Sequence, residues 1–291
     1  MKSINPKISV LMPALNAERC IVRALKSLRN QTFKDYELLV VDNGSNDKTP
    51  EIAAKYADRV LLMKKRGLGH ARNEGIREAK ADIIAFTDSD CEATTDWIEQ
   101  IDRFFTQNPE EHVMAGETKI PKSTFVGDCI SSLGFPGGGH VGFAKMWKVS
   151  KEGYTRKFTG CNFAFRKPVL KKTGLFDETL VAANDDAEMS MRMIKHGVKI
   201  RFNPAAVIYH EARTSLISFT KWMYNRGRSN YHFKKRVGKV GSFILLRGWS
   251  SWNIIKTYFK DPKILLIVPL LIYSFLLQQV GYVVEMMIDA N

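Results

Sequence analysis

Two carboxylates stand one residue apart in the stretch AFTDSD, directly after a short apolar run. They are Asp88 and Asp90. Because neighbouring carboxylates repel each other, such a pair persists most readily where a cation or hydrogen-bond donors neutralise it. Hard oxygen ligands suit Mg²⁺ or Mn²⁺, above all where substrate phosphates complete the coordination shell. The pair therefore indicates a metal site, although a solvated turn or the start of a helix near Trp97 explains the same residues equally well.

Asp185, Asp186 and Glu188 form a second acidic group, ahead of an apolar stripe with helical spacing. Acids in the first turn of a helix stabilise it by about 0.3–1 kcal/mol each, which is a purely structural explanation. Three acids within four positions exceed that need, and their mutual repulsion is expected to raise the pKa of at least one of them. A carboxylate with a raised pKa is suited to act as a general base.

The elements that must position these acids follow from the alternation of short apolar runs with amphipathic stretches in the first two-thirds of the chain. This alternation predicts an α/β fold with a mostly parallel sheet flanked by helices. Ligands of such sheets bind beyond the carboxyl ends of the strands, where Pro13, Asp42 and Asp88 are predicted to lie. The predicted strands are KISVLMP, YELLVVD, RVLLM and DIIAFTD, and the helices are predicted over 17–29, from Thr49, from about Ala71 and from about Trp97.

Composition limits the class of protein. The chain has 291 residues, 45% of them hydrophobic, enough for one large core with or without an appendage. Its formal charge is +14, of which +11 lies between Arg213 and Lys263, where twelve Lys or Arg accompany a single acid. Four cysteines without a CxxC pair, and an N-terminus without a long apolar run, predict the reduced cytosol.

The basic stretch over 213–263 is predicted to be an amphipathic helical region that binds an anionic membrane surface. Its mixture of aromatic and basic side chains is also compatible with RNA, but no nucleic-acid module accompanies it, and we expect no nucleic-acid partner. A helical face that covers the catalytic domain is the other explanation. The predicted membrane-facing stripe consists of Leu245, Trp249, Trp252, Ile255 and Phe259.

The last region, 264–291, is predicted to be a hydrophobic helix. Residues 264–284 carry no charge over 21 positions, which is about the length that a transmembrane helix needs. Pro269, Gln278 and Gln279 weaken that interpretation, so spanning the membrane and lying in its interface both remain open. Since the Lys and Arg precede the uncharged run, the catalytic domain is expected on the cytoplasmic face of the cell membrane, as a peripheral or single-pass protein.

Five glycines lie in the segment SSLGFPGGGHVGFAKMW, among aromatic residues that are expected to be exposed. This composition predicts a mobile lid that becomes ordered when substrates bind. A poorly ordered loop is the alternative, and a phosphate-binding P-loop is disfavoured because no Lys-Ser or Lys-Thr follows.

Seven motifs resemble, in order and spacing, the family 2 inverting glycosyltransferases of the GT-A fold, a Rossmann-like α/β architecture. The resemblance covers about residues 7–212, the predicted catalytic domain. It implies transfer of a sugar from a nucleotide-diphosphate donor to an acceptor, with Mg²⁺ or Mn²⁺ between the DxD acids and the diphosphate. The motifs are SVLMPALNAE, LLVVDNGSND, GLGHARNEGI, DIIAFTDSDC, TGCNFAFRK, GLFDE and DDAEMSMRMIKHG.

The resemblance also implies the nucleotide site. Pro13, Ala14 and Leu15 would line the nucleotide pocket, Asp42 would hydrogen-bond the base, and Arg72 would approach the nucleotide. Two structural explanations compete with these assignments. Asp42 is suited to a turn before Asn-Gly-Ser, and Arg72 can simply pair with an acid.

The metal site is implied in the same way. Asp88 would face the ribose and Asp90 the metal, while His210 matches a further metal ligand of some relatives. A histidine at a strand end is as often a hydrogen-bonded structural residue.

The catalytic base follows from the family pattern Glu-Asp-x-Asp-Leu-x-x-Arg. Alignment on Arg192 places Asp185, Asp186 and Glu188 at the acidic positions and makes Asp186 the candidate base. The first acid is Asp rather than Glu, which leaves the choice between Asp185 and Asp186 open. Gly160, in TGCNFAF, would belong to the acceptor wall.

The function predicted from all of these features is metal-dependent, inverting transfer from a nucleotide sugar, with UDP favoured, to a hydroxyl or phosphate of a lipid-linked or envelope-glycan acceptor. No QxxRW element follows the acids, which favours addition of single sugars. A sugar nucleotidyltransferase would need a Gly-rich, Arg-containing loop where this chain has PALNAERC. A non-catalytic glycan- or lipid-binding module would not need every acidic position filled. The sequence does not determine the sugar, the acceptor or the oligomeric state.

Overall fold

Nine strands form one sheet in the computed structural model, which describes residues 5–134, 137–180, 184–238 and 241–290, with the backbone alone for 241–247. The strands are β1 (Ile8–Ala14), β2 (Tyr36–Asp42), β3 (Arg59–Leu62), β4 (Ile83–Phe86), β5 (Cys91–Ala93), β6 (Val113–Lys119), β7 (Tyr154–Thr155), β8 (Phe163–Arg166) and β9 (Ile200–His210).

The sheet has the order β3-β2-β1-β4-β8-β6-β9-β5, with β7 paired to β9. Its first four strands are parallel, and the rest is mixed, because β8 runs antiparallel to both β4 and β6. Every residue of β1 and β2 is buried, which explains their continuous apolar sequences. The predicted α/β fold with flanking helices is confirmed.

Helices cover both faces of this sheet. One apolar cluster joins alternate residues of β1, β2 and β4 to α1 and α4, and a second joins the intervening residues to α3 and α8. The helices are α1 (Ile21–Arg29), α2 (Thr49–Ala54), α3 (Leu68–Glu78), α4 (Trp97–Gln107), α5 (Phe125–Ser131), α6 (Phe143–Met146), α7 (Leu170–Thr173), α8 (Asp185–Lys195), α9 (Leu216–Val237), α10 (Gly241–Tyr258) and α11 (Ile264–Asp289).

The Gly-rich segment contains short helical elements, apart from residues 135 and 136, which lie outside the described residues, and the mobile lid stays a prediction. It contains α6 and a short 3₁₀ turn, Gly139–Val141. The prediction that its aromatic residues are exposed is wrong for Phe143 and Trp147, which are both buried. They pack into a third apolar cluster together with residues of α5, α9 and α11. Because α9 and α11 are distant in sequence, the local sequence pattern does not reveal that they bury the two side chains.

Two long C-terminal helices, α9 and α11, run parallel and side by side. The buried residues of α11 form a seam with helical spacing. Two glycines allow the helices to touch, since a Cβ at Gly227 would collide with the Gln278 carbonyl, and one at Gly281 with the Tyr224 carbonyl. Ion pairs continue the contact to the last turns, from Arg228 to Glu285 and from Lys235 to Asp289. The seam residues are Ile267, Leu270, Ser274, Gln278 and Gly281.

The opposite side of α11 is exposed and apolar. Within the described ranges, α11 is the one helix long and apolar enough to cross a membrane by length and composition. Of the predicted membrane-facing stripe on α10 and the residue after it, Trp249, Trp252 and Phe259 are exposed and Ile255 is half-buried, while the side chain of Leu245 lies outside the described residues. The apolar face of α11 consists of Leu265, Ile272, Leu276, Val280, Val283 and Met287.

The close contact of the two helices makes a prediction. Gly281→Ala is expected to lower the free energy of unfolding by about 1–3 kcal/mol, because the added methyl group forces α9 and α11 apart. Gly248→Ala on α10 is the matched control, since its Cβ meets no atom within 4 Å. Thermal or urea unfolding measures both variants, and equal stability of the two would contradict the packing described.

Candidate active site

The carboxyl ends of the parallel strands form the floor of the site. β1 and β2 end side by side, with Ala14 opposite Asp42. Pro13 and Ala14 are buried, whereas Leu15 is 36% exposed and lies at the rim. The predicted nucleotide-lining residues therefore meet at one edge of the sheet, where ligands of open α/β sheets bind.

Asp42 serves a turn and retains one free oxygen. Its Oδ2 accepts hydrogen bonds from the backbone N–H groups of Gly44 at 3.2 Å and Ser45 at 3.0 Å, as the turn explanation requires. Its Oδ1 is buried and accepts no hydrogen bond within the described part of the chain. Because a buried acceptor without a partner is costly, this oxygen is available for a donor on a ligand.

Pairing of β5 with β9 creates the candidate metal site. Cys91 lies opposite His210, which brings the imidazole to the loop that carries Asp90. The Nε2 atom of His210 lies 3.4 Å from Oδ1 of Asp90, and its Nδ1 lies 2.9 Å from the carbonyl oxygen of Glu211. Burial opposes the charged imidazole, but Asp90, Cys161, Asp88 and the Glu211 backbone together outweigh it, and the pKa of His210 is raised.

This donor set fits a divalent cation. The Nδ1–H group of His210 donates to a carbonyl, so in the neutral ring Nε2 keeps a lone pair on the side of Asp90. Ligand atoms of Asp90, Cys91 and His210 lie within 4.8 Å of one another. An oxygen and an imidazole nitrogen, with phosphate oxygens of a substrate, match Mn²⁺ or Mg²⁺ better than a closed thiolate site. The alternative of a helix start is excluded, because β5 separates these acids from α4.

Arg72 lies at the centre of the site and is 1% exposed. It forms a buried ion pair with Asp185, and its Nη2 atom donates to the Gly160 carbonyl at 3.0 Å and lies 3.4 Å from Asp88. A Cβ at Gly160 would lie 2.6 Å from Nη2 of Arg72, so any larger residue would have to displace this guanidinium. Arg72 therefore joins both acidic groups that the sequence singled out.

The ionisation of Asp88 depends on this neighbourhood. Burial raises the pKa of its carboxyl to about 6, while Arg72 opposes the rise and Asp90 adds to it. Burial likewise raises the pKa of Asp185 against the pull of Arg72.

The three acids of α8 have different partners. Asp185 is buried against Arg72, and Glu188 pairs with Arg192 one turn along the helix, at 2.6 Å. Asp186 is half-buried and accepts a hydrogen bond from the Gly160 N–H group at 3.2 Å. Asp186 is thus the acid of the three that is not held in an ion pair with Arg72 or Arg192.

Two arginines near the acids escaped the sequence analysis. Arg213 lies 4.4 Å above the Trp222 ring and interacts electrostatically with Asp90. Arg226, on α9, is half-buried and faces Asp186. Burial lowers the pKa of both guanidinium groups. Both arginines belong to the basic stretch after residue 212. The sequence analysis predicted that this whole stretch binds a membrane, and so it did not single them out.

Comparison with known proteins identifies the family. The model of "Glycosyl transferase family 2" matches residues 9–174, more than half of the chain.

Curated relatives agree with that family. The putative glycosyltransferase EpsH of Bacillus subtilis is 42% identical over 99 residues, which are 32% of this chain and 27% of EpsH. The probable glycosyltransferase YdaM of the same organism is 26% identical over 223 residues, 71% of this chain and 51% of YdaM. This chain therefore spans about a quarter to a half of the length of these two relatives. A Methanococcus voltae enzyme named as a dolichyl N-acetyl-alpha-D-glucosaminyl phosphate 3-beta-D-2,3-diacetamido-2,3-dideoxy-beta-D-glucuronosyltransferase is 26% identical over 236 residues, 76% of this chain and 71% of that enzyme.

Solved structures show the same fold. The mannosyltransferase PcManGT of Pyrobaculum calidifontis, in complex with GDP-Man and Mn²⁺, superposes with a TM-score of 0.64 at 17% identity and covers 99% of this chain and 89% of its own. S. aureus TarS 1–349, in complex with UDP-GlcNAc, has a TM-score of 0.56 at 18% identity, over 98% of this chain and 92% of its own. The strand order, the position of the site at the carboxyl edge of the sheet and the matched family model lead to one conclusion: this chain belongs to glycosyl transferase family 2 and has the GT-A fold.

Proposed function

We propose that the protein transfers a sugar from a nucleotide-diphosphate donor, with inversion at the anomeric carbon. The observation that carries this proposal is the position of Arg72 between two different acidic sites. On one side Arg72 approaches Asp88, in the loop that also carries Asp90 beside His210, and on the other it pairs with Asp185, the neighbour of Asp186 in the first turn of α8. A metal–diphosphate site and a free carboxylate on opposite sides of one cleft are what an in-line displacement requires.

The donor is proposed to bind across the floor of the site, with its base near the free Oδ1 of Asp42 and its diphosphate near Asp90 and Arg213. The two related structures contain UDP-GlcNAc in one case and GDP-Man with Mn²⁺ in the other, which supports a nucleotide sugar as donor, and we favour UDP. Asp90 and His210 would hold Mn²⁺ or Mg²⁺. When bound there, the cation would neutralise charge on the departing diphosphate.

Asp186 is proposed as the general base. It takes a proton from the acceptor hydroxyl while the oxygen attacks the anomeric carbon, and the bond to the diphosphate breaks on the opposite face. Gly160 orients this carboxylate through its N–H group. Asp185, held by Arg72, supports the site instead of accepting the proton.

The acceptor is proposed to be lipid-linked or part of an envelope glycan. The Methanococcus voltae relative carries a dolichyl phosphate-linked sugar in its name, which supports a lipid-linked acceptor. Such an acceptor requires the enzyme to work at a membrane surface.

We propose that the apolar face of α11 lies on the cytoplasmic surface of the membrane and does not cross it. The seam of α11 packs on α9 up to the ion pairs of Glu285 and Asp289. A crossing α11 would take the charges of α9 into the bilayer, at about 2.5–3.5 kcal/mol for each Lys or Arg at its centre. Basic residues near an anionic leaflet contribute about 1 kcal/mol each to surface binding.

Asp90→Ala is expected to abolish both Mn²⁺-dependent binding of UDP and sugar transfer, because the variant loses the carboxylate of the metal site. The residue lies on a loop, so the melting temperature should stay unchanged. Glu92→Ala, an exposed acid two residues on, is the control and should behave as wild type. Undiminished metal-dependent UDP binding by Asp90→Ala would remove Asp90 from the metal site.

The wild-type protein is expected to release a nucleoside diphosphate, rather than pyrophosphate, as its product. This product separates the proposed function from that of a nucleotidyltransferase.

Asp186→Asn is expected to lose transfer by about 10²–10⁴-fold while it keeps its affinity for the donor, since the amide preserves shape but accepts no proton. Asp185→Asn should lose less activity. It should lower the melting temperature instead, because Arg72 is left buried without its main counter-charge. Steady-state kinetics and melting curves decide the matter, and the opposite order of activities would make Asp185 the base.

The membrane surface can be tested by flotation with liposomes that contain anionic lipid. The double variant Ile272→Asp and Leu276→Asp is expected to bind far less, because it places two charges on the apolar face of α11. Leu62→Asp changes a leucine on β3 that is even more exposed than Ile272 and Leu276, and it is the control. Alkaline carbonate should release the wild-type protein from membranes, and release by detergent alone would show that α11 spans the bilayer.

A further inference from the structure

Two adjacent glutamines on α11 have opposite surroundings. Gln278 faces α9 and is 8% exposed, whereas Gln279 is exposed. The Nε2 atom of Gln278 donates to the Ser274 carbonyl at 3.0 Å, and its Oε1 accepts from Nδ2 of Asn230 at 3.3 Å. A buried amide in an apolar helix costs free energy unless it is hydrogen-bonded, so leucine would serve better if packing were its whole role.

The hydrogen bonds continue from Asn230 to the start of α8. Oδ1 of Asn230 accepts from Nδ2 of Asn184 at 3.0 Å. Asn184 is buried, immediately precedes Asp185, and its carbonyl accepts the first helical hydrogen bond, from the Glu188 N–H group at 2.9 Å. Its φ of 68° lies in the left-handed region, which asparagine visits more readily than most residues but still adopts at a cost.

Asn184 fixes the direction in which the chain enters α8 and therefore the position of the acids in the first turn. Asp186 reaches the Gly160 N–H group over 3.2 Å from that turn. The contact of α9 and α11 through Gly227 and Gly281 is too close to allow these helices to shift freely. The hydrogen-bonded chain thus connects a rigid helix pair to the catalytic acids.

We infer that Gln278 and Asn230 are positioning residues, which hold Asp186 in its catalytic orientation through Asn184. The inference rests on the proposed function, because it assigns a task to the support of the proposed base. In this inference α11, which is proposed to face the membrane, also supports the catalytic acids.

The adjacent glutamines provide a matched test. Gln278→Leu is expected to lower kcat about tenfold to a hundredfold, as a displacement of about 1 Å at a reacting group does. The affinity for UDP with Mn²⁺ and the melting temperature should stay near the wild-type values. Gln279→Leu should leave all three quantities unchanged. Equal kcat for the two variants would overturn the inference, and so would a parallel loss of stability and UDP binding in Gln278→Leu, which would indicate a packing role alone.

A double-mutant cycle makes the test independent of the size of one effect. Asn230→Leu combined with Gln278→Leu should lose no more activity than either change alone, because both break the same chain. Asn184→Gly keeps the left-handed backbone but removes the side chain, and should reproduce the loss in kcat. Multiplicative losses in the double variant would refute a shared path. Absence of any transfer by the wild-type enzyme, in contrast, would refute the proposed function, and the inference with it.

Discussion

A single buried guanidinium organises the site of this protein. Arg72 binds Asp185, approaches Asp88 and donates to the Gly160 carbonyl. These contacts join α3, the loop after β4, the turn before β8 and the first turn of α8. Because a buried charge costs several kcal/mol unless it is paired and hydrogen-bonded, each partner restrains the others. The acids are consequently held in place by the folded protein before any substrate arrives, as electrostatic catalysis requires.

The same constraint divides the tasks among the acids. Glu188 is bound by Arg192 and Asp185 by Arg72, whereas Asp186 is half-buried and accepts a hydrogen bond from the Gly160 N–H group. Like residue types in one helical turn thus acquire different properties from their partners alone. The structural explanation of this cluster therefore accounts for Asp185 and Glu188, which are held in ion pairs, while the catalytic role of Asp186 stays a proposal.

The sequence predicted local features well and distant ones poorly. The run YELLVVD is β2 from its first residue to its last, because a strand covered on both faces is apolar throughout. The approach of His210 to Asp90 depends instead on the pairing of β9 with β5, which no local pattern encodes. The family resemblance implied that His210 and Asp90 belong to one metal site, but it did not explain how the fold brings them together. The burial of Phe143 was missed for the same cause, since its cover comes from helices far along the chain. The division at residue 212 stays a prediction.

The third apolar cluster has a consequence for how the protein forms. It joins Ile130 and Phe143, from the region of the family match, to Phe219 of α9 and Ile267 of α11. During synthesis, α11 emerges after every candidate catalytic residue, so this apolar surface stays uncovered until α11 arrives. Exposed apolar surface on a nascent chain invites aggregation or capture by chaperones. A membrane close to the ribosome would bind the apolar surfaces of the late helices. Folding of the C-terminal helices and attachment of the protein to the membrane would then occur in the same step.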